Sequence, residues 1–130
     1  MRTECINSNS SNFKGQLIYV DSFGKQASRN ILQRFPQGRY SAQLKRISKM
    51  LNRKKYNVFV TYNRHNDEFV LDSGRNYKEA VKIREFKNNV SVHKSNPIAI
   101  PWAAEDAIKE HTQFLQFNKI RKKLGINTEV

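Results

Sequence analysis

Tyr56-Asn57-Val58-Phe59-Val60-Thr61-Tyr62 alternates between two side-chain phases, and after the polar tip Asn63-Arg64-His65-Asn66-Asp67 the chain resumes with Glu68-Phe69-Val70-Leu71. A period of two, rich in β-branched and aromatic residues and interrupted by turn-forming residues, predicts a β-hairpin over 56–71. Asp72-Ser73-Gly74 ends the second strand. Asn76, with Glu79 three residues later, resembles a capping box and predicts a helix from Tyr77 to about Lys87, closed by Asn88-Asn89.

Upstream of the hairpin the period changes. Tyr40, Leu44, Ile47 and Leu51 follow the i, i+4, i+7, i+11 pattern of an amphipathic helix, and Lys45, Arg46, Lys49 and Arg53 fall on the other side of the same wheel. Phe23, Ala27, Ile31 and Phe35, with Leu32 beside them, predict an earlier helix stopped by Pro36 and Gly38. Leu17-Ile18-Tyr19-Val20 is an apolar run of strand length, ended by Asp21-Ser22 and Gly24. Residues 1–14, rich in Ser and Asn and without periodicity, are expected to be a flexible tail.

Downstream, the connector from Val90 to Ile100 has room for a short strand, and Asn96-Pro97 favours an extended turn. Pro101 suits a first helical turn, Glu105 and Asp106 suit the positive end of the dipole, and Arg121, Lys122, Lys123 and Gly125 suit the other end. A long C-terminal helix is expected at about 101–124, with Trp102 as its anchor. Its apolar stripe is not straight: Ala104, Ile108 and Leu115 share one side, whereas Phe117, Ile120 and Leu124 lie nearly opposite. Either the helix kinks near His111–Gln113 or its last turns pack on another layer or on a second copy. The expected fold is one α+β domain over 15–130: a small antiparallel sheet, made of the hairpin 56–71 and a strand near 17–20, packed with three to four helices.

The chain has 130 residues, with 24 Lys and Arg against 11 Asp and Glu, for a net charge of +13. Residues 39–55 hold seven cations and no acid, more than half of that excess. A solubilising face interleaves both signs, whereas this segment carries one sign only, the footprint of a polyanion-binding surface. No run reaches the roughly 18 apolar residues of a membrane span, and the polar start does not read as a signal peptide, so an intracellular, cytoplasmic protein is expected. Cys5 is the single cysteine, and His65, His93 and His111 are scattered, so neither an internal disulfide nor a zinc site is expected.

From Ile47 to Lys87 the order of residues resembles the AP2 domain and the related arm-type DNA-binding domain of phage integrases. The likeness is carried by Arg53-Lys54-Lys55-Tyr56 entering an alternating strand, and by Glu68-Phe69-Val70-Leu71-Asp72-Ser73 running into Asn76-Tyr77-Lys78-Glu79-Ala80-Val81. The resemblance implies a three-stranded antiparallel sheet packed on one helix, with the sheet in the major groove of DNA. It also implies a first strand at about Ile47–Leu51, where the spacing of the residues themselves favours a helix; both readings of 41–51 stand at this point.

The phase of the hairpin opposite Tyr56, Val58, Val60, Phe69 and Leu71 holds Asn57, Phe59, Thr61, Glu68, Val70 and Asp72. Two carboxylates on that face repel phosphates. The expected contact surface is therefore Arg39, Lys45, Arg46, Lys49, Arg53, Lys54 and Lys55, with Arg64 at the hairpin tip and Arg75, Lys78 and Lys82 near the following helix as auxiliaries. Phe59 joins this set as a contact residue for a base or a partner if nothing covers its face.

A catalytic constellation is not found. The five glycines are far apart and make no phosphate loop. Asp72 with Glu85-Phe86-Lys87 imitates the carboxylate and lysine order of a metal-dependent nuclease, but Glu85 and Lys87 point apart on the predicted helix. The expectation is a non-enzymatic protein without cofactor or metal that binds nucleic acid, DNA in preference to RNA, as a phage or mobile-element accessory factor. The alternative is an inhibitor, such as an anti-CRISPR protein, that docks its basic surface on a protein or nucleoprotein complex. A homodimer through the C-terminal helix is a further possibility.

Overall fold

The computed structural model describes residues 15–85 and 89–125. The expected tail over 1–14 and the helix closure at Asn88 lie outside them. Four strands stand side by side in chain order: β1 (Leu17–Tyr19), β2 (Asn57–Asn63), β3 (Glu68–Gly74) and β4 (Val90–His93). β2 and β3 form the expected hairpin, with Val60 opposite Leu71 and Tyr62 opposite Phe69. Its tight tip places Asp67 in the left-handed region at φ 52°. β4 continues the antiparallel order, pairing Val92 with Phe69.

The sheet is mixed rather than wholly antiparallel. β1 runs parallel to β2, with Leu17 opposite Val58. Parallel neighbours need a long crossover, here supplied by α1 (Ser22–Arg34) and α2 (Arg39–Lys54). Asp21 caps α1 by accepting from the Gly24 N–H at 3.4 Å, and its other oxygen accepts from the Tyr62 N–H at 2.8 Å. One carboxylate thus ties the start of the crossover to the middle of the sheet.

α1 turns the side marked by its apolar spacing to the sheet: Ala27, Ile31 and Leu32 are half-buried there, Gly24 and Ser28 beside them are buried, and Phe35 at the end is exposed. A Cβ on Gly24 would lie 2.8 Å from the Tyr19 ring, so a small residue there permits the close approach of helix and sheet. Phe23 keeps its apolar role at the edge, stacked on Phe69 at 5.6 Å and tilted on Tyr62 at 4.5 Å.

Residues 41–51 are helical within α2, which buries Tyr40, Gln43, Ile47 and Leu51. α3 (Tyr77–Arg84) opens with Asn76 accepting from the Glu79 N–H at 2.8 Å, while the Glu79 carboxylate accepts from the Arg75 N–H at 2.8 Å. A 3₁₀ turn over Pro97–Ala99 leads into α4 (Ile100–Lys123). Ile100 and Pro101 are buried at its start, whereas Trp102 is exposed and is not the anchor.

α1, α2 and α4 cover one face of the sheet. There Val58, Val60, Phe69, Leu71 and Val92 pack against Ile47, Leu51, Ile100, Ala104, Ala107 and Ile108 in one core. The alanines let the α4 backbone lie close to the strands. His111 fills a polar gap in this layer: its Nδ1 is hydrogen bonded to Ser73 Oγ at 2.9 Å, and its ring lies 4.0 Å from that of Tyr56. α3 covers part of the other face, where Ala80 sits on Gly74 and Tyr77 meets Phe59.

α4 does not break near His111–Gln113; it continues to Lys123, but no residue of it beyond Phe114 is buried. Phe117, Ile120 and Leu124 are exposed, so the second apolar stripe points away from this core.

Candidate nucleic-acid interface

The buried row of α2 dictates what its outer side presents. With Tyr40, Ile47 and Leu51 held in the core, and the Tyr40 hydroxyl donating to Ser28 Oγ at 3.0 Å, the helix cannot rotate. Lys45, Lys49 and Arg53 therefore stand exposed on the opposite side, four residues apart. They span about 12 Å of the axis and about 80° of the circumference. None of the three makes an ion pair among the described residues.

Arg39 and Lys55 are exposed at the two ends of α2, and Lys54 is half-buried beside α4. Lys55 closes the helix in the left-handed region at φ 60°, its N–H donating to the Leu51 carbonyl at 2.7 Å. Arg53 and Lys54 in the last turn also complement the negative end of the dipole.

Arg46 differs from its neighbours. Its guanidinium binds the Glu105 carboxylate through Nη2 at 3.0 Å and Nε at 3.3 Å, and the same carboxylate accepts from Gln43 Nε2 at 2.7 Å and pairs with Lys109 Nζ at 3.4 Å. The Arg46 hydrogen bonds, then the one from Gln43, hold the Glu105 carboxyl at about 2, well below the usual carboxylate range. Arg46 is thus a clasp between α2 and α4, and sequence reasoning had no local signal for its partner on a distant helix.

The auxiliaries separate in space. Arg75 is bound twice by Glu79, with Nη2 to Oε2 at 2.8 Å, which keeps its pKa raised and holds that of Glu79 below the ordinary value. Lys78 and Lys82 are exposed on α3, on the opposite side of the sheet from α2, so they do not extend the α2 row. Arg64 is exposed in the hairpin turn. Phe59 is 6% exposed, with the Tyr77 ring edge-on at 5.4 Å, and so is no surface contact: α3 covers the face on which it lies.

The carboxylates of that hairpin face are also rearranged by the fold. Asp72 is buried and binds Arg84 through Nε at 3.0 Å and Nη2 at 2.5 Å, which raises the Arg84 pKa. Glu68 stays half-buried near the tip. Among the described residues no three His, Cys, Asp or Glu side chains gather to hold a metal ion. No described helix is long and apolar enough to cross a membrane.

The α2 surface is thus a row of fixed positions bearing exposed cationic side chains. Such a row attracts phosphates and sets a register along a backbone, without reading bases. Comparisons with protein-family models, with curated proteins and with solved structures find no match to this chain.

Proposed function

We propose that this protein binds nucleic acid without catalysing a reaction, gripping the phosphate backbone of a duplex with the outer face of α2. The observation that carries this reading is the contrast within one helix: Arg46 is neutralised by Glu105, while Lys45, Lys49 and Arg53, with no acid in the surrounding stretch 39–55, have no counter-charge among the described residues. Holding uncompensated like charges side by side costs self-repulsion, which a polyanion relieves. The 12 Å row covers about three to four base pairs along a duplex at about 3.4 Å each. DNA is the preferred partner, because the wide major groove of B-DNA admits a helix of this diameter. The setting we favour is that of a phage or mobile-element accessory factor acting in the host cytoplasm, in keeping with the AP2-like residue order over 47–87, although 47–51 is helix and not that family's first strand.

The test is duplex affinity against salt. Three to six phosphate contacts give a log–log slope between about −3 and about −5. Lys45→Glu with Lys49→Glu flattens it, and a flat response in the unmodified protein overturns the reading.

A second reading is favoured by the end of α4. Phe117, Ile120 and Leu124 are exposed at i, i+3 and i+7, the anchor spacing of a helix laid in an apolar groove, among the cations Lys119, Arg121, Lys122 and Lys123. This suits an inhibitor of the anti-CRISPR kind docking on a protein or nucleoprotein, or a second copy of the chain. Under this reading Phe117→Glu with Ile120→Glu abolishes partner capture or dimerisation, and naked duplex binding is weak.

A further inference from the structure

On the α3 side of the sheet lies a cleft of about 370 Å³, lined by Thr61, Asn63, Arg64, Val70, Tyr77 and Arg84 among others. No carboxylate lines it. Of the two acids on this face of the hairpin, Asp72 is 1% exposed and occupied by Arg84, and Glu68, opposite Asn63, stands half-buried outside the lining. That ion pair uses two of the five guanidinium N–H groups and sets the plane of the rest, so Arg84, whose side chain is 34% exposed, is a preorganised donor.

Two further features converge on the same cleft. The Tyr77 ring is 41% exposed and is braced edge-on by Phe59 at an interplanar angle of 71°. Arg64, exposed in the hairpin turn, makes no ion pair among the described residues. Val70 adds an apolar patch. The lining thus offers two guanidinium groups and a flat aromatic surface, in a volume within the range of small-ligand sites.

We propose that this cleft binds a single nucleotide unit, its base stacked on Tyr77 and its phosphate between Arg64 and Arg84. A guanidinium pair suits a phosphate better than a carboxylate-lined pocket does, and an exposed tyrosine face accepts any base by stacking. The site lies across the sheet from α2 and does not depend on the reading of that helix. A free mononucleotide and the terminal nucleotide of a strand share this chemistry.

The experiment is calorimetric titration of the full chain with AMP, inorganic phosphate and adenosine, followed by a 5′-phosphorylated oligonucleotide and its 5′-hydroxyl counterpart. AMP is expected to bind at submillimolar concentration, with phosphate or adenosine alone at least about tenfold weaker, because each supplies only half of the contacts. Arg64→Ala and Tyr77→Ala each weaken AMP by about tenfold, whereas Tyr77→Phe retains the stacking part of the affinity. Lys45→Glu with Lys49→Glu leaves AMP binding unchanged, which separates this site from the α2 surface. A 5′-phosphate preference exceeding the AMP affinity identifies a strand end as the source, and equal affinities identify the free nucleotide. No heat with millimolar AMP, or wild-type affinity in both Arg64→Ala and Tyr77→Ala, overturns the proposal.

Discussion

Arg46 of α2 and Glu105 of α4 close a two-toothed ion pair, Nη2 to Oε2 at 3.0 Å and Nε to Oε1 at 3.3 Å, across 59 positions of sequence. The pair sets one cation of the basic helix, held by a carboxylate, apart from the exposed row Lys45, Lys49 and Arg53, which makes no ion pair among the described residues. Arg46→Gln is therefore expected to lower the melting temperature and to change duplex affinity little. Lys45→Gln and Lys49→Gln should do the reverse, each reducing the salt slope by about one. Melting curves and salt-dependent binding on the three variants check this; equal affinity losses in all three would show that Arg46 belongs to the contact surface.

Glu105 makes stability depend on acid. Its carboxyl is held at about 2 by Arg46 and Gln43, against about 4.3 in an unfolded chain. A depressed folded-state value means that the unfolded chain takes up the proton first, so the stabilisation is complete above about pH 4.3 and fades as pH falls toward 2. Glu105→Gln should be less stable than the parent at pH 6, with the gap closing near pH 2. Urea unfolding at a series of pH values measures the difference; a gap independent of pH would remove the ionised clasp as its cause.

Asp72 and Arg84 join the sheet to α3, and the carboxylate is almost fully buried. Arg84→Met keeps the aliphatic stem but leaves that carboxylate without its ion-pair partner. The expected cost is about 3 kcal/mol of unfolding free energy. The double variant Asp72→Leu with Arg84→Met should recover most of it, because no charge is then buried. Denaturant unfolding of the single and double variants decides the matter, and a double variant as unstable as the single one would refute the electrostatic explanation.

Two backbone positions should respond in opposite directions. A Cβ on Gly74 would lie 2.7 Å from the Ala80 nitrogen, which cannot move without lifting α3, so Gly74→Ala should cost about 1–3 kcal/mol. Lys55 occupies the left-handed region at φ 60°, so Lys55→Gly should raise stability by up to about 1 kcal/mol while removing one cation from the end of α2. Calorimetry on both variants tests the signs.

Much of the architecture is legible locally. The hairpin over 57–74 follows from a period of two and a polar tip, α2 from its apolar spacing, α3 from Asn76 and Glu79, and α4 from Pro101 and its run of helix-forming residues. The same spacing places Lys45, Lys49 and Arg53 opposite the buried row, because a helix turns through a fixed angle per residue. α1 shows where this kind of reading stops. Its apolar spacing finds the side that meets the sheet, where Ala27, Ile31 and Leu32 are half-buried, but not that Gly24 and Ser28 are the most deeply buried residues there; at Gly24 the space beside Tyr19 and Phe69 leaves no room for a larger side chain.

By itself, the sequence determined the hairpin, the capped helix after it, the long last helix and the acid-free run of cations, since these are properties of neighbours along the chain; the structure settled that 41–51 is helix. Only the tertiary structure decided the parallel pairing of β1, the burial of Phe59 beneath α3, the capture of Arg46 by Glu105 and of Asp72 by Arg84, and the cleft beside Tyr77. Each of these depends on which surfaces meet after the chain has folded back on itself. A cation looks the same in the sequence whether or not a carboxylate from another element awaits it.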